Sequence, residues 1–121
     1  MPLHVRIDRD LVILSNFGRL MSDPRYVDAV EEVHRLIDQG YVQFVLEVAD
    51  VRETGRSVLG VLMTIMRTLE RRGASAVLAR PSRELARFLA QMRLDDYWEI
   101  FDSLEEARSF LRSEISGGGD R

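Results

Sequence analysis

Cysteine and lysine are both absent from this chain of 121 residues, so all of its 17 basic residues are arginine. Without cysteine there is no disulfide, no thiolate zinc site and no cysteine nucleophile. The chain has only two histidines, His4 and His34, which lie far apart in the sequence. No Ser-His-Asp set can be argued from two such scattered residues, and the sequence therefore does not predict an enzyme.

Long apolar runs and a strong excess of one charge are missing as well. No uninterrupted apolar stretch approaches the ~20 residues that a membrane span needs, and the first ten residues contain no long apolar region. We therefore expect a cytoplasmic protein with neither an export signal nor a membrane segment. The formal net charge of −3 argues against a general nucleic-acid binder.

Motifs for metals and cofactors are incomplete in this sequence. Glu31 and His34 would share one face of a helix, which is half of a carboxylate metal site. A second such pair is missing, and "RRGAS" at 71–75 lacks the glycine pattern of a phosphate loop. The sequence thus predicts no metal and no cofactor.

Strand-like and helix-like patterns alternate along the chain. Alternating apolar residues predict a half-buried strand at 3–8, and the near-continuous apolar run at 42–48 predicts a central strand covered on both faces. Apolar residues at helical spacing predict a heavily buried helix at 58–72, which Gly73 ends. The other predicted elements are strands at 11–18, 74–79 and 97–101 and helices at 24–39, 81–92 and 103–111.

Several residues indicate where these helices begin. Asp23 is a predicted N-cap before Pro24 in the first turn of the first helix, and Ser82 is a predicted N-cap of the third. Ser103 and Glu106 form a capping-box pattern in the last helix.

The element order β-β-α-β-α-β-α-β-α is typical of an α/β protein. It predicts a mixed, mostly parallel central sheet of about five strands with four helices, and the first strand as an edge partner. We expect one domain at residues 1–115, followed by a flexible tail at 116–121. The predicted core includes Val45, Leu46, Leu62, Met66, Val77, Leu78 and Leu89.

Two apolar patterns could serve either the core or an interface. Met63 and Met66 lie on the apolar stripe of the helix at 58–72, and we interpret them as core rather than as a ligand groove. Tyr97 and Trp98 would pack a late strand, whereas an exposed Trp98 would indicate an interface.

The stretch "DVRETGRS" at 50–57 leaves the carboxyl end of the predicted central strand. Functional loops of parallel sheets tend to lie there, so position alone makes this stretch a candidate site. It contains the hydroxyls of Thr54 and Ser57, a hinge at Gly55, and the cations Arg52 and Arg56. The structural alternative for Ser57 is the N-cap of the following helix.

Four segments occur in an order and spacing that resemble a known family. They are "FGRL" at 17–20, "QFVLEVADV" at 43–51, "LGVLMTIMRTLERRGASAVLA" at 59–79 and "FDSLEEARSFL" at 101–111. Together, residues 10–112 resemble the STAS domain. This is the family of bacterial anti-sigma-factor antagonists and of related domains in anion transporters and stress-sensing complexes.

The most specific motif of that family is Asp-Ser-Ser-Gly-Leu-Gly, whose second serine is phosphorylated by a partner kinase. An ungapped count back from Gly73 aligns Ser57 with the phosphorylated serine. The chain departs from the motif at Gly55, Arg56 and Val58, which replace the aspartate, the first serine and the first glycine.

A shifted alignment would set Glu53 and Thr54 against the Asp-Ser pair of the motif. Thr54 is therefore the fallback acceptor, although this alignment needs a three-residue gap later.

The resemblance implies a protein-binding function. The expected partner is an anti-sigma factor with a serine-kinase activity and a histidine-kinase-like ATPase fold, and its capture would free a sigma factor. The expected contacts lie on the exposed side of helix 58–72 and on Arg52, Glu53, Thr54, Gly55, Arg56 and Ser57. The protein would be a monomer or a weak homodimer.

Two alternative functions stay open at this point. One is a non-phosphorylated STAS scaffold or interaction domain of a signalling assembly. The other is a small-ligand or nucleotide sensor, in which glycines at 55 and 60 would let a ligand approach the backbone.

Overall fold

A computed structural model describes residues 3–18, 26–52 and 54–118. The strands are β1 His4–Asp8, β2 Leu11–Ser15, β3 Gln43–Glu47, β4 Ser75–Ala79 and β5 Ile100–Phe101. The helices are α1 Tyr26–Asp38, α2 Arg56–Arg71, α3 Arg83–Gln91 and α4 Leu104–Gly118, with a 3-10 turn at Leu94–Asp96. The element order is the one that the sequence patterns predicted.

All five described strands form a single sheet in the order β1-β2-β3-β4-β5. β1 pairs antiparallel with β2, and every later pair is parallel. The predicted mixed, mostly parallel sheet and its edge strand are therefore confirmed. The helices between parallel strands cover the sheet, because a parallel connection must cross over one face.

Each face of the sheet has its own apolar cluster. The larger cluster joins Leu14, Phe44 and Leu46 to buried residues of α1, α2 and α3. The smaller cluster joins Val45 and Val77 to the buried side of α4. β3 is apolar on both faces for this reason, as its sequence predicted. All seven residues predicted for the core are buried.

The ends of the helices follow local rules. Gly73 has a φ of +80°, and the Ala74 amide donates to the Leu69 carbonyl at 2.9 Å, the pattern of a glycine-terminated helix. Ser82 Oγ accepts from the Leu85 amide at 3.1 Å, which confirms the predicted N-cap of α3. Ser103 Oγ likewise accepts from the Glu106 amide at 3.1 Å.

Several boundaries differ from the predicted ones, and β2, for example, ends at Ser15 although the sequence predicted a strand to residue 18. α2 begins at Arg56, two residues earlier than predicted, and β5 contains only Ile100 and Phe101. β5 is short because only these two residues pair with β4, whereas Tyr97 lies in the preceding turn. α4 extends to Gly118. The predicted N-cap at Asp23 and the first-turn Pro24 lie outside the described residues.

Candidate functional site

The chain between β3 and α2 is anchored at its beginning and exposed at its end. Val48 and Val51 are fully buried, and the Val51 amide donates to the Val48 carbonyl at 3.2 Å. The Val51 carbonyl accepts a hydrogen bond from the Ser82 hydroxyl at the start of α3. Residues after Val51 therefore project from a fixed point at the carboxyl end of β3.

Most of the predicted site residues are accessible to a partner. Arg52, Thr54, Arg56 and Ser57 are exposed, and Gly55 is partly exposed. Arg52 lies 4.0 Å from the Glu84 carboxylate, a surface pair that contributes little to stability. Glu53, the remaining residue of the predicted set, lies outside the described residues. The structure thus brings the predicted hydroxyls and cations together on one exposed segment.

The N-cap of α2 is a glycine rather than the predicted serine. Gly55 has a φ of +122° and a ψ of −160°, and its carbonyl accepts from the Leu59 amide at 3.1 Å. A residue without a Cβ adopts this conformation readily, so the chain can enter the helix before Ser57. The interpretation of Ser57 as an N-cap is therefore wrong. Ser57 is the second residue of α2, and its side chain is exposed.

The electrostatic setting of Ser57 is favourable for an anion. The first turn of a helix offers amide hydrogens without intrahelical partners and the positive end of the helix dipole. No acidic residue lies in the first turn of α2, and Arg56 precedes Ser57 directly. A negative group on the Ser57 hydroxyl would therefore meet favourable partial charges and a neighbouring guanidinium.

Helix α2 divides cleanly into a buried side and an exposed side. Its buried residues are Val58, Val61, Leu62, Ile65, Met66 and Leu69. On the other side, Gly60 is exposed, and a Cβ added there would meet no other atom within 4 Å. The exposed side of α2 therefore continues the accessible surface of loop 52–57.

A close contact that sequence reasoning missed joins the end of β2 to this region. Asp50 accepts a hydrogen bond from the Gly18 amide at 3.0 Å. A Cβ at Gly18 would lie 2.5 Å from the Asp50 carbonyl oxygen, so only glycine fits. The sequence identified "FGRL" as part of the resemblance, and the structure supplies a physical reason for its glycine.

A polar cavity of about 400 Å³ lies at the carboxyl ends of β2 and β3. Its lining includes His4, Ser15, Glu47 and Asp50. His4 is exposed, as predicted from its phase in the strand, and its Nδ1 lies 3.5 Å from Ser15 Oγ. Within residues 3–18, 26–52 and 54–118, no group of three or more His, Cys, Asp or Glu side chains could hold a metal ion.

In the structure, His34 of the incomplete metal-site pattern at Glu31 and His34 lies beside an arginine. His34 Nδ1 lies 2.8 Å from an Arg72 guanidinium nitrogen, and the same guanidinium pairs with Asp38. Nearby on α1, a side-chain hydrogen bond from Arg35 lowers the pKa of Glu32.

No helix in the described part of the chain is long and apolar enough to cross a membrane.

Comparison with known proteins identifies the family to which this chain belongs. The family model of the STAS domain matches residues 24–107, which is more than half of the chain. The chain belongs to the STAS domain family.

Two relatives come from Thermotoga species, and both are provisionally named anti-sigma factor antagonists. The Thermotoga maritima protein is 25% identical over 107 residues, which cover 88% of this chain and 95% of the relative. The Thermotoga neapolitana protein is 26% identical over 102 residues, which cover 84% of this chain and 90% of the relative.

Solved structures show the same fold. The crystal structure of a provisionally named anti-sigma factor antagonist from Thermotoga maritima has a TM-score of 0.72 at 23% identity, covering 91% of this chain and 94% of the other. The anti-sigma factor antagonist SpoIIAA in its unphosphorylated form has a TM-score of 0.70 at 22% identity, covering 92% and 96%. The predicted STAS-like fold is therefore confirmed.

Proposed function

We propose that this STAS-domain protein is an anti-sigma factor antagonist. It binds a kinase-type anti-sigma factor through loop 52–57 and the exposed side of α2, and so frees a sigma factor. The observation that carries the proposal is an exposed, polar segment that leaves an anchored point at the carboxyl end of β3 and continues onto α2. The names of the Thermotoga relatives support the same role. Such a role requires a cytoplasmic location and no catalytic group of the protein's own.

Ser57 is the proposed switch of this interaction. Its side chain is exposed in the first turn of α2, so a kinase can reach the hydroxyl without unfolding the helix. A phosphate adds about −1.5 to −2 charges, and the helix N-terminus stabilises such a charge by ~0.3–1 kcal/mol. The phosphorylated domain would therefore stay folded, while the new charge and bulk in the centre of the surface weaken partner binding.

Arg52 and Arg56 would select the partner. Both guanidiniums are exposed beside the proposed switch, and Arg52 makes a long contact of 4.0 Å with Glu84. Charged groups at the rim of an interface steer association and reject partners of like charge. We therefore expect the complementary surface of the anti-sigma factor to be acidic near this loop.

The departures from the family motif favour a second candidate, a scaffold domain without phosphorylation. Gly55 replaces the motif aspartate and adopts a conformation, with φ at +122°, that residues with a Cβ rarely adopt. The acidic residue of the motif cannot simply be restored at this position without strain. A scaffold would use the same exposed segment and would carry no phosphate.

The test uses the cognate anti-sigma factor, identified by pull-down from the native cell. The two proteins are mixed with ATP, and peptide mass spectrometry locates any added phosphate. We expect labelling at Ser57, loss of labelling with retained binding in Ser57→Ala, and weaker binding in Ser57→Asp by about tenfold, or ~1.4 kcal/mol.

Each other outcome assigns a different function. Labelling that persists in Ser57→Ala would move the switch, with Thr54 as the next acceptor. Binding without labelling of either hydroxyl would identify an unregulated antagonist or a scaffold. Recovery of a multi-protein assembly with no kinase-fold partner would contradict antagonism, and thermal stabilisation by a nucleotide would support the sensor alternative instead.

A further inference from the structure

A second recess lies at the other end of α2, away from loop 52–57. It is a groove of about 460 Å³ between the C-terminal half of α2 and the segment 94–98 that precedes β5. Its apolar floor is formed by Met63 and Met66 from α2 and by Leu94 and Trp98 from the facing segment. The volume is within the range of about 300–1,000 Å³ that is usual for small-molecule sites.

The floor of the groove is apolar and fixed in place. Met66 is buried, and Leu94 and Trp98 are partly buried against the larger apolar cluster. The Trp98 amide donates to the Leu94 carbonyl at 2.8 Å, which holds the two side chains on one turn. Thioethers and an indole ring are favourable neighbours for a flat aromatic group. The floor therefore favours an aromatic ring over a flexible polar ligand.

One aromatic side chain at the edge of the groove, that of Tyr97, is almost fully exposed to solvent. Tyr97 lines the groove and is 85% exposed. A tyrosine in this position contributes almost nothing to the folded core, yet it can stack on a ligand in the groove. Its two side-chain torsions make that ordering cheap in entropy.

Two cations line the same groove. Arg67 and Arg71 lie one turn apart on α2, about 6 Å between their Cβ atoms by helix geometry. Neither makes an ion pair with another residue in the described ranges, whereas the adjacent Arg72 is held by Asp38 at 2.6 Å. As far as the described residues show, both guanidiniums are available to bind an external anion.

Opposing charges set the strength of that attraction. Glu70 lies between the two arginines on the same wall, and the C-terminal end of α2 carries the negative end of the helix dipole. These two groups weaken the attraction of each guanidinium for an anion. Arg67 and Arg71 therefore each contribute a modest part of the binding, and their contributions add.

We propose that this groove binds an aromatic carboxylic acid, with its ring on the floor formed by Met63, Met66 and Trp98 and its carboxylate between Arg67 and Arg71. A guanidinium pairs with a carboxylate through parallel hydrogen bonds, which fixes the orientation of the ring. The groove is at the opposite end of α2 from Ser57, but Arg67 and Arg71 also belong to the exposed side of α2 through which the partner is proposed to bind. It gives the domain a surface through which a small acid could alter its partner binding.

The chain of 121 residues carries its own probe, because Trp98 is its single tryptophan. In a ¹⁵N-labelled sample its indole N–H gives one NMR cross-peak, which is followed during titration with 2-naphthoate. The neutral analogue 2-naphthalenemethanol has the same ring without the charge. We expect a saturable shift with 2-naphthoate and at least threefold weaker binding of the alcohol.

Charge-removing variants locate the carboxylate. Arg67→Gln and Arg71→Gln should each raise the Kd for 2-naphthoate about threefold, a typical effect for exposed charge pairs, and about tenfold together. Arg112→Gln removes the same charge on α4, across the sheet, and should leave the Kd unchanged. Tyr97→Ala should raise the Kd without altering the melting temperature, since the side chain is exposed.

Three results would overturn the proposal. The first is no saturable shift of the Trp98 cross-peak up to millimolar 2-naphthoate. The second is equal affinity for the acid and the alcohol. The third is an equal effect of Arg112→Gln and the two groove variants, which would show only a general charge effect.

Discussion

The two ends of helix α2 expose different chemistry to solvent. The N-terminal end presents Arg56, Ser57 and Gly60 beside a polar loop, with Leu59 only partly exposed among them. From Met63 onward the helix presents Arg67 and Arg71 beside Tyr97 and Trp98. The buried side of the helix is apolar along its whole length, so the contrast comes from the neighbouring segments. One helix therefore carries the proposed switch at its first turn and the proposed acid-binding groove toward its other end.

Ser57 and the arginines of the groove lie far enough apart on α2 for their effects to be tested separately by mutation. Fourteen residues separate Ser57 from Arg71, which corresponds to about 21 Å along a helix. Substitutions farther apart than about 7–10 Å and without common partners usually have additive effects. Variants at one end of α2 should thus leave the other end unchanged, unless they disturb the buried side that both ends share.

The largest expected effect comes from that shared side. Leu62 is fully buried in the middle of α2, and Leu62→Ala removes its apolar contacts and leaves a cavity. We expect a loss of ~2–5 kcal/mol in the free energy of unfolding, measured with urea. Glu70→Ala on the exposed side should change it by less than about 0.5 kcal/mol. A loss for Leu62→Ala well below 2 kcal/mol would show that the two ends do not depend on a common core.

The second largest expected effect on stability comes from a matched pair of glycine substitutions at the start of α2. Gly55→Ala places a Cβ on a backbone with φ at +122° and should cost ~1–3 kcal/mol. Gly60→Ala adds the same methyl group in the helix interior, where nothing lies within 4 Å, and should stabilise by ~0.5–1 kcal/mol. Thermal unfolding of both variants measures the difference. Shifts of the same sign would contradict the assignment of Gly55 as the N-cap.

The smallest expected effect on stability is at the loop. Arg52→Ala removes an exposed side chain with one long contact to Glu84, and should alter the unfolding free energy by less than about 0.5 kcal/mol. Partner affinity, measured by calorimetry with the cognate anti-sigma factor, should nevertheless fall. Arg112→Ala on α4 is the matched control. Equal losses of affinity in both variants would argue against loop 52–57 as the docking surface.

Most of the fold could be predicted because its signals are local. β-branched and aromatic runs identified β3, and the helical spacing of Leu62, Met66 and Leu69 identified α2. Gly73 marked the end of α2 because few other residues adopt its positive φ so readily. These patterns depend only on neighbours within a few residues, and a single sequence contains them fully.

The start of α2 could not be predicted correctly because two residue types compete as caps. Ser57 has the usual side chain of an N-cap, whereas Gly55 caps through backbone geometry alone. Sequence favours the serine, and only the structure shows that the chain turns at the glycine. Ser57 itself was found, although its role as a switch remains a prediction.

The groove was missed because its walls lie about thirty residues apart in the chain. Met63 and Met66 were interpreted as core, which is correct for Met66, whereas Met63 is partly exposed and lines the groove. The opposite wall comes from the turn that holds Tyr97 and Trp98, which the sequence assigned to a strand. Only the packing of α2 against this turn brings the methionines and the aromatic rings together.

The strand order of the sheet also has a consequence for synthesis of the protein. Because spatial order and sequence order coincide, each strand has its earlier partner already present when it leaves the ribosome. No strand after β1 must wait for a later one before it can pair on one edge, and no strand is inserted between two that have already joined. The sheet can therefore grow from the hairpin of β1 and β2 outward, one crossover at a time. Only the β1–β2 hairpin joins strands that are close in sequence, whereas each parallel pair must close a connection that contains a helix, which slows folding.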